Sequence, residues 1–429
     1  MKNLLYMVTI YIMSNQSTPA VFSTNSDSPS NQKTTAAAGL RVKAGGLNLP
    51  IGQAISIPVG LKHETLIIPS SSTPNFGGFF TIDIRQKNIL LNNITLQFNC
   101  SAISGTGVTG YFSPAHYFFQ RIEVIQNSNV IDTIYGNQQF LLDQLLYFDE
   151  QRLSLNQASG LYSSTAQRTL LSSTTAPNTL YVNLRTYFDQ TKVAILTDQH
   201  AVQLRVYMDS FANVFTQTGG AIPASAVINS CNAILKVTTL DSETANRRLQ
   251  DMTVSPHHHI FHDVHYATFS VSAGNLSTAI VLAPIVGNVA SLMFTVRAST
   301  IGAQAWVYSQ LASFAILSSS SENIVGGQVL PSSLCANVLN TDWCKSTYTA
   351  ETSFGVNDQK ANVYIWSFSS DPVSALSYGQ ALTSRKMLGA EQLVLNFATP
   401  LPAQVQVDVY AYVESILEVT PSSVKKISL

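Results

Sequence analysis

A chain of 429 residues with 45% hydrophobic content is long and apolar enough to bury two or more cores, which excludes a disordered polymer. Only 11% of the residues are charged, about half the usual share for soluble domains. The net charge is −1 and no basic run is longer than the pairs Arg247-Arg248, Arg385-Lys386 and Lys425-Lys426, so direct, sequence-specific nucleic-acid binding is excluded as the main task.

In chain order, residues 4–13 are apolar but too short to span a bilayer. Lys2 ahead of them mimics a signal peptide, yet no small-residue cleavage site follows, and Met13 offers an alternative start. Residues 14–48 are rich in Ser, Thr, Asn, Ala and Gly, so residues 1–50 read as a flexible arm. Short β-like runs split by turn residues begin near residue 52. They cover 67–84 and then 89–98, where Ile94, Leu96 and Phe98 form one buried face. The spacing predicts a hairpin of 117–125 with 131–135 across Asn127-Ser128-Asn129. Residues 137–148 predict a helix, with Phe140, Leu141, Gln144, Leu145 and Phe148 on one face and Asp143, Asp149 and Glu150 on a solvated one. Residues 151–178 read as a long surface loop. Strands follow at 181–188 and 202–208.

A polar break at 210–224 contains Gly219-Gly220. Beyond it come a strand at 233–239 and a helix at 241–251 capped by Asp241 or Ser242. Further strands are predicted at 264–272, 289–296, 363–368, 391–397 and 404–413. In the last of these Val405, Val407, Val409, Ala411 and Val413 make one face and Tyr410 and Tyr412 lie on the other. The fold class is therefore all-β: two consecutive jelly-roll β-sandwiches with a few short helices and long loops. The first roll is assigned to 51–215, the second to 216–420, and a tail to 421–429. No sequence repeat links the halves.

Several segments resemble the double jelly-roll major capsid proteins of large eukaryotic DNA viruses, virophages and polinton-like viruses. Leu184-Arg185-Thr186-Tyr187-Phe188, leading through Ile195-Leu196 to Gln203-Leu204-Arg205-Val206, is similar to the stretch that closes that family's first roll. The run from Lys236 to Glu243, followed by Arg247-Arg248-Leu249, is similar to the start of its second roll. Residues 288–296, 363–368, 393–395 and 407–411 resemble its later strands, so that the likeness spans most of 55–420. The region after Val413 lacks the Gly/Met-rich ending of the giant-virus members, which points to a smaller relative. The resemblance implies a homotrimer that tiles an icosahedral shell in the virion, assembled in host cytoplasm or nucleus. It implies as partners neighbouring capsomers, minor capsid or penton proteins and an internal membrane.

Chemistry is sparse. There is no G-x-S-x-G, Walker loop, H-E-x-x-H or dinucleotide glycine fingerprint, so neither enzyme activity nor a cofactor is expected. One weak metal candidate exists: on a strand, His257, His259 and His265 share a face near Asp263, with His262 close by. Its bland counterpart is a polar loop entering a strand. Tyr410, Tyr412 and Trp366 are interface candidates, packing between the rolls or between subunits. Trp306 and Trp343 read as core or interface anchors. Cys100, Cys231, Cys335 and Cys344 lack a C-x-x-C pair and read as buried free thiols, with a Cys335–Cys344 bridge as the alternative. Sequons at Asn15, Asn93, Asn99 and Asn275 are expected by chance in so polar a chain. The rival functions are a secreted or surface carbohydrate-binding sandwich, a β-sandwich hydrolase, and a minor capsid or spike protein.

Overall fold

A computed structural model of the chain describes residues 41–44, 47–50 and 62–428, apart from 104–108, 148, 161–177, 219–224, 299–310, 319–329, 332–362 and 370–383. Residues 1–59 form one compact unit and 60–429 another. In the first unit β1 (Arg41–Ala44) and β2 (Leu47–Pro50) pair antiparallel; the rest of the expected arm lies outside the described residues.

The second unit opens with eleven described strands. They are β3 (Lys62–Pro69), β4 (Phe79–Ile84), β5 (Ile89–Cys100), β6 (Thr109–Phe112), β7 (Phe119–Gln126), β8 (Asn129–Tyr135), β9 (Asn178–Leu184), β10 (Ala194–Ile195), β11 (Val202–Met208), β12 (Phe215–Thr218) and β13 (Ile228–Thr239). One sheet reads β9–β5–β13–β3, with β10 also on β5; the facing sheet reads β4–β11–β7–β8. The short β6 and β12 form a separate ladder.

Ten more strands follow: β14 (His257–Val271), β15 (Ser277–Val281), β16 (Val286–Ala298), β17 (Ser313–Leu317), β18 (Leu330–Pro331), β19 (Val363–Ser367), β20 (Arg385–Leu388), β21 (Gln392–Asn396), β22 (Val405–Thr420) and β23 (Ser423–Ser428). Here the sheets read β19–β16–β22–β14 and β15–β21–β17–β18. With the short accessory strands β6, β10, β12, β20 and β23 set aside, the order is the same in both halves. The first, third, sixth and eighth strands make one sheet, and the second, fourth, fifth and seventh make the other. The topology repeats where the sequence does not, and each half is a jelly roll.

Helices punctuate the rolls: α1 (Gly136–Leu146), α2 (Asp149–Ala158), α3 (Tyr187–Thr191), α4 (Phe211–Val214) and α5 (Ser242–Val254). Helix α2 occupies the start of the segment expected to be a loop. Its sequence DEQRLSLNQA has too few apolar residues to reveal a period, but it is rich in helix formers and opens on two acids that suit a helix N-terminus. Asp241 caps α5 by accepting the Thr244 amide at 2.7 Å. The β7–β8 hairpin turns on Asn127 and Ser128, both left-handed at φ 46° and 63°, as a two-residue I′ turn requires.

Alternation builds both cores. On β5 Ile94, Leu96, Phe98 and Cys100 point inward, while Asn93, Thr95, Gln97 and Asn99 stand on the outer face. There they form a ladder of uncharged bonds: Asn93 to Asn183 (2.6 Å), Asn99 to Ser230 (2.7 Å) and Asn232 to Gln97 (2.9 Å). This ladder is where the sequence spends the polar residues that replace charge. Cys100 and Cys231 are buried free thiols, pushed up by burial, Cys100 to about 12; Cys335 and Cys344 lie outside the described residues. The second core gathers Phe294, Phe314, Leu393, Val407 and Val409, with the Phe294 and Phe314 rings edge-to-face at 4.9 Å. Trp366 on β19 packs against it, partly buried; Trp306 and Trp343 lie outside the described residues.

Candidate functional site: the seam between the rolls

Strands β14 and β22 are long because they serve both rolls. The end of β14, at Val271, and the first half of β22, from Val405 to Val413, build the second core, while Phe261, Leu417 and Val419, with Val424 of β23, join the first. Residues 423–428, expected within a tail, thus form a strand paired with the end of β22.

The period of two in β22 decides what meets at the seam. Its valines face the second core, so Tyr410 and Tyr412 must face away, toward α1 of the first roll. Both are buried. Asn137 donates through Nδ2 to Tyr410 Oη at 3.0 Å, and Gln138 donates through Nε2 to Tyr412 Oη at 3.2 Å. Tyr117 Oη donates to Asn137 Oδ1 at 3.0 Å. Burial pushes the Tyr412 phenol well up. Rings from both rolls pack beside them: Tyr135 lies tilted 4.6 Å from Tyr266, and Tyr266 stacks on Tyr410 at 5.1 Å. A cleft of about 260 Å³ opens there, lined by Tyr117, Arg121, Tyr135, Tyr266, Arg297 and Tyr410 among others. At its floor Asp408 accepts from Tyr266 Oη (2.8 Å), Thr268 Oγ1 (3.0 Å) and Arg297 Nε.

A second polar group crosses the seam nearby. Asp132 of β8 is fully buried and accepts the Tyr187 amide through Oδ2 at 3.1 Å. Burial, and then the charge of Asp263, push its carboxyl up to about 7. Asp263 of β14 takes Lys426 Nζ at 2.8 Å and His265 Nε2 at 3.4 Å. Tyr187 Oη donates to Gln126 Oε1, Gln126 Nε2 donates to the His200 carbonyl (2.7 Å), and His200 Nε2 donates to the Thr420 carbonyl (2.7 Å). That chain of bonds joins α3 and β7 to the end of β22.

The histidine cluster is spread along β14. At roughly 3.3 Å per residue, His257 and His265 stand roughly 26 Å apart along the strand. The His257 and His259 rings are 6.4 Å apart, His258 pairs with Glu418 at 3.3 Å, and His262 is buried on the opposite face. Burial holds His262 down at about 4. Among the described residues no group of three or more His, Cys, Asp or Glu could hold a metal ion. Asp143 corrects the reading of α1: it is not on a solvated face. It is buried, with His116 Nε2 at 3.0 Å and Arg185 Nε at 3.8 Å, because this side of α1 packs on the turn Ala115–Phe118. Sequence reasoning missed Asp132, Gln126, Tyr187, Lys426 and the Arg297–Asp408 pair. Asp132, within Ile131-Asp132-Thr133-Ile134, and Asp408, within Val407-Asp408-Val409, carry a local signal, an acid inside a strand.

No protein-family model matches the sequence, and no curated protein matches it. Solved structures do match. One is VP54 of PBCV-1, fitted into a reconstruction of the virophage Sputnik, at TM-score 0.63 and 15% identity, covering 86% of this chain and 96% of that one. The Faustovirus major capsid protein matches at TM-score 0.62 and 8% identity, covering 84% and 91%. The mavirus major capsid protein matches at TM-score 0.51 and 11% identity, covering 96% and 97%. The body of this chain has the double jelly-roll fold shared by these viral capsid proteins.

Proposed function

We propose that the protein is a major capsid protein of a eukaryotic double-stranded DNA virus, with a structural and not a catalytic role. The observation that carries this reading is one strand order used twice in a single chain and welded across a buried polar seam. Two fixed rolls give one chain two of the six corners of a pseudo-hexagonal tile, so three copies complete it. The contacts close head to tail in a ring. Flanks faced with amides and hydroxyls, as on β5, β9 and β13, can be covered by a neighbour without desolvating ions. We place the junction of the rolls at α5, because β13 belongs to the sheet of β5 and β3 while β14 opens the second roll.

Size-exclusion chromatography with light scattering tests the assembly. Three chains of 46.5 kDa weigh about 140 kDa, and a stable particle of that mass is expected; a monomer at all concentrations overturns the reading. In the shell we assign residues 1–50 the task of tying neighbouring capsomers together or touching minor proteins or a membrane, with ordering entropy spent on assembly. Deleting them is expected to leave trimers intact and to weaken shells. Normal shells from the truncated chain, seen by electron microscopy, would refute that role.

A further inference from the structure

The seam places two carboxylates from different rolls in one buried region. Asp132 belongs to β8 of the first roll and Asp263 to β14 of the second. Among the described residues Asp132 Oδ1 has no hydrogen-bond partner, while Oδ2 accepts the Tyr187 amide and the Thr133 amide acts on the carboxyl more weakly. The titratable groups around them are Asp263 and His265 on β14, Lys426 on β23, Tyr187 on α3 and Tyr135 at the end of β8. Arg121 and Glu123 of β7 act on the same region through Tyr135. Lys426 is the one lysine or arginine in direct contact with either carboxylate among the described residues, and it sits on Asp263.

We propose that this pair is a pH-dependent joint between the rolls: with Asp132 protonated the seam closes, and with Asp132 ionised beside Asp263 it loosens. A buried anion with an unsatisfied oxygen and a like charge nearby is costly, whereas the neutral acid is not. The carboxyl pushed up to about 7 puts the changeover near neutrality. Its folded value lies above the ordinary one. Its contribution to stability is therefore complete below about pH 4 and is lost as pH rises through about 7. His262 of β14 has the opposite sign. Held down at about 4, it contributes stability above about pH 6.5 that is lost as pH falls through 4. The two trends oppose each other between pH 4 and 7, so the wild-type profile conceals the joint and a comparison with a variant exposes it.

The test uses the full chain and urea unfolding at pH 5, 6, 7 and 8, for wild type and Asp132→Asn. Asparagine keeps an acceptor for the Tyr187 amide and cannot ionise. The folding constant of the variant relative to wild type is expected to rise about tenfold per pH unit between 5 and 7 and then level off. Hydrogen exchange, corrected for intrinsic rates, is expected to accelerate at the Tyr187 amide between pH 5 and 8 in wild type but not in the variant. A pH-independent ratio, or equal acceleration at Tyr187 in both proteins, overturns the joint. If Asp132→Asn does not fold, Asp263→Asn replaces it. Removing the like charge must also make the variant gain on wild type as pH rises, by a smaller factor, and a flat ratio again overturns the proposal.

Discussion

Replacing Gly136 with alanine is expected to cost about 3 kcal/mol or more, measured by urea unfolding. Gly136 begins α1 directly after the end of β8 at Tyr135, and an added Cβ would lie within van der Waals overlap of the carbonyl oxygens of His116 and Phe119. Both obstacles are backbone, so no rotamer change relieves them. The His116 turn is also tied to α1 through the Asp143 contact at 3.0 Å, so neither side can retreat alone. Moving α1 outward would pull Asn137 and Gln138 from Tyr410 and Tyr412, and the damage would spread to the seam. Gly274→Ala is the control. Gly274 has φ +84° with nothing within 4 Å of the new Cβ, so only backbone strain remains, of about 1 kcal/mol. Equal losses in the two variants would mean that conformation, not close approach, fixes Gly136.

Strand β22 marks how far the sequence could be read. Its valine face and tyrosine face are plain in residues 404–413, and the structure puts one in the second core and the other on α1. The same strand continues to Thr420, where Ser415, Leu417 and Val419 alternate inward with Glu414, Ile416 and Glu418. That continuation is hard to see, because a serine and two acids dilute the pattern and because the partner core belongs to the other roll. The histidines at the start of β14 conceal a strand for a similar reason: residues on both of its faces are polar, so no hydrophobic period appears. Strand β13, beyond the polar break, pairs with β5 and β3, and a period of two carries no information on which strand a partner will be. Asp132 shows the limit for the site. An isolated acid in a strand reads as an edge or a turn until Asp263 and Lys426, distant in sequence, are brought beside it.

Asp408→Ala is expected to destabilise the chain by about 3–5 kcal/mol, because it strands a buried guanidinium. The side chains of Asp408 and Arg297 are 1% and 11% exposed, so little water reaches either. Burial pulls the Arg297 guanidinium down, but Asp408 outweighs it and holds the group above its ordinary value. Without Asp408 the burial cost stands alone, and Tyr266 and Thr268 lose their acceptor as well. Pairing Asp408→Leu with Arg297→Met is expected to recover most of the loss. The double change removes the desolvated charges together and leaves mainly the Tyr266 hydroxyl unsatisfied, at about 1–3 kcal/mol. A double-mutant cycle by urea unfolding separates the two accounts. If each single variant costs under about 1 kcal/mol and the cycle closes additively, solvent reaches the pair and strand pairing with apolar burial alone holds this sheet of the second roll together. A large single cost with strong coupling makes the Asp408 group a specific latch within the second roll: β14, β22 and β16 can pair in one register only, the one that delivers Arg297, Tyr266 and Thr268 to the same carboxylate.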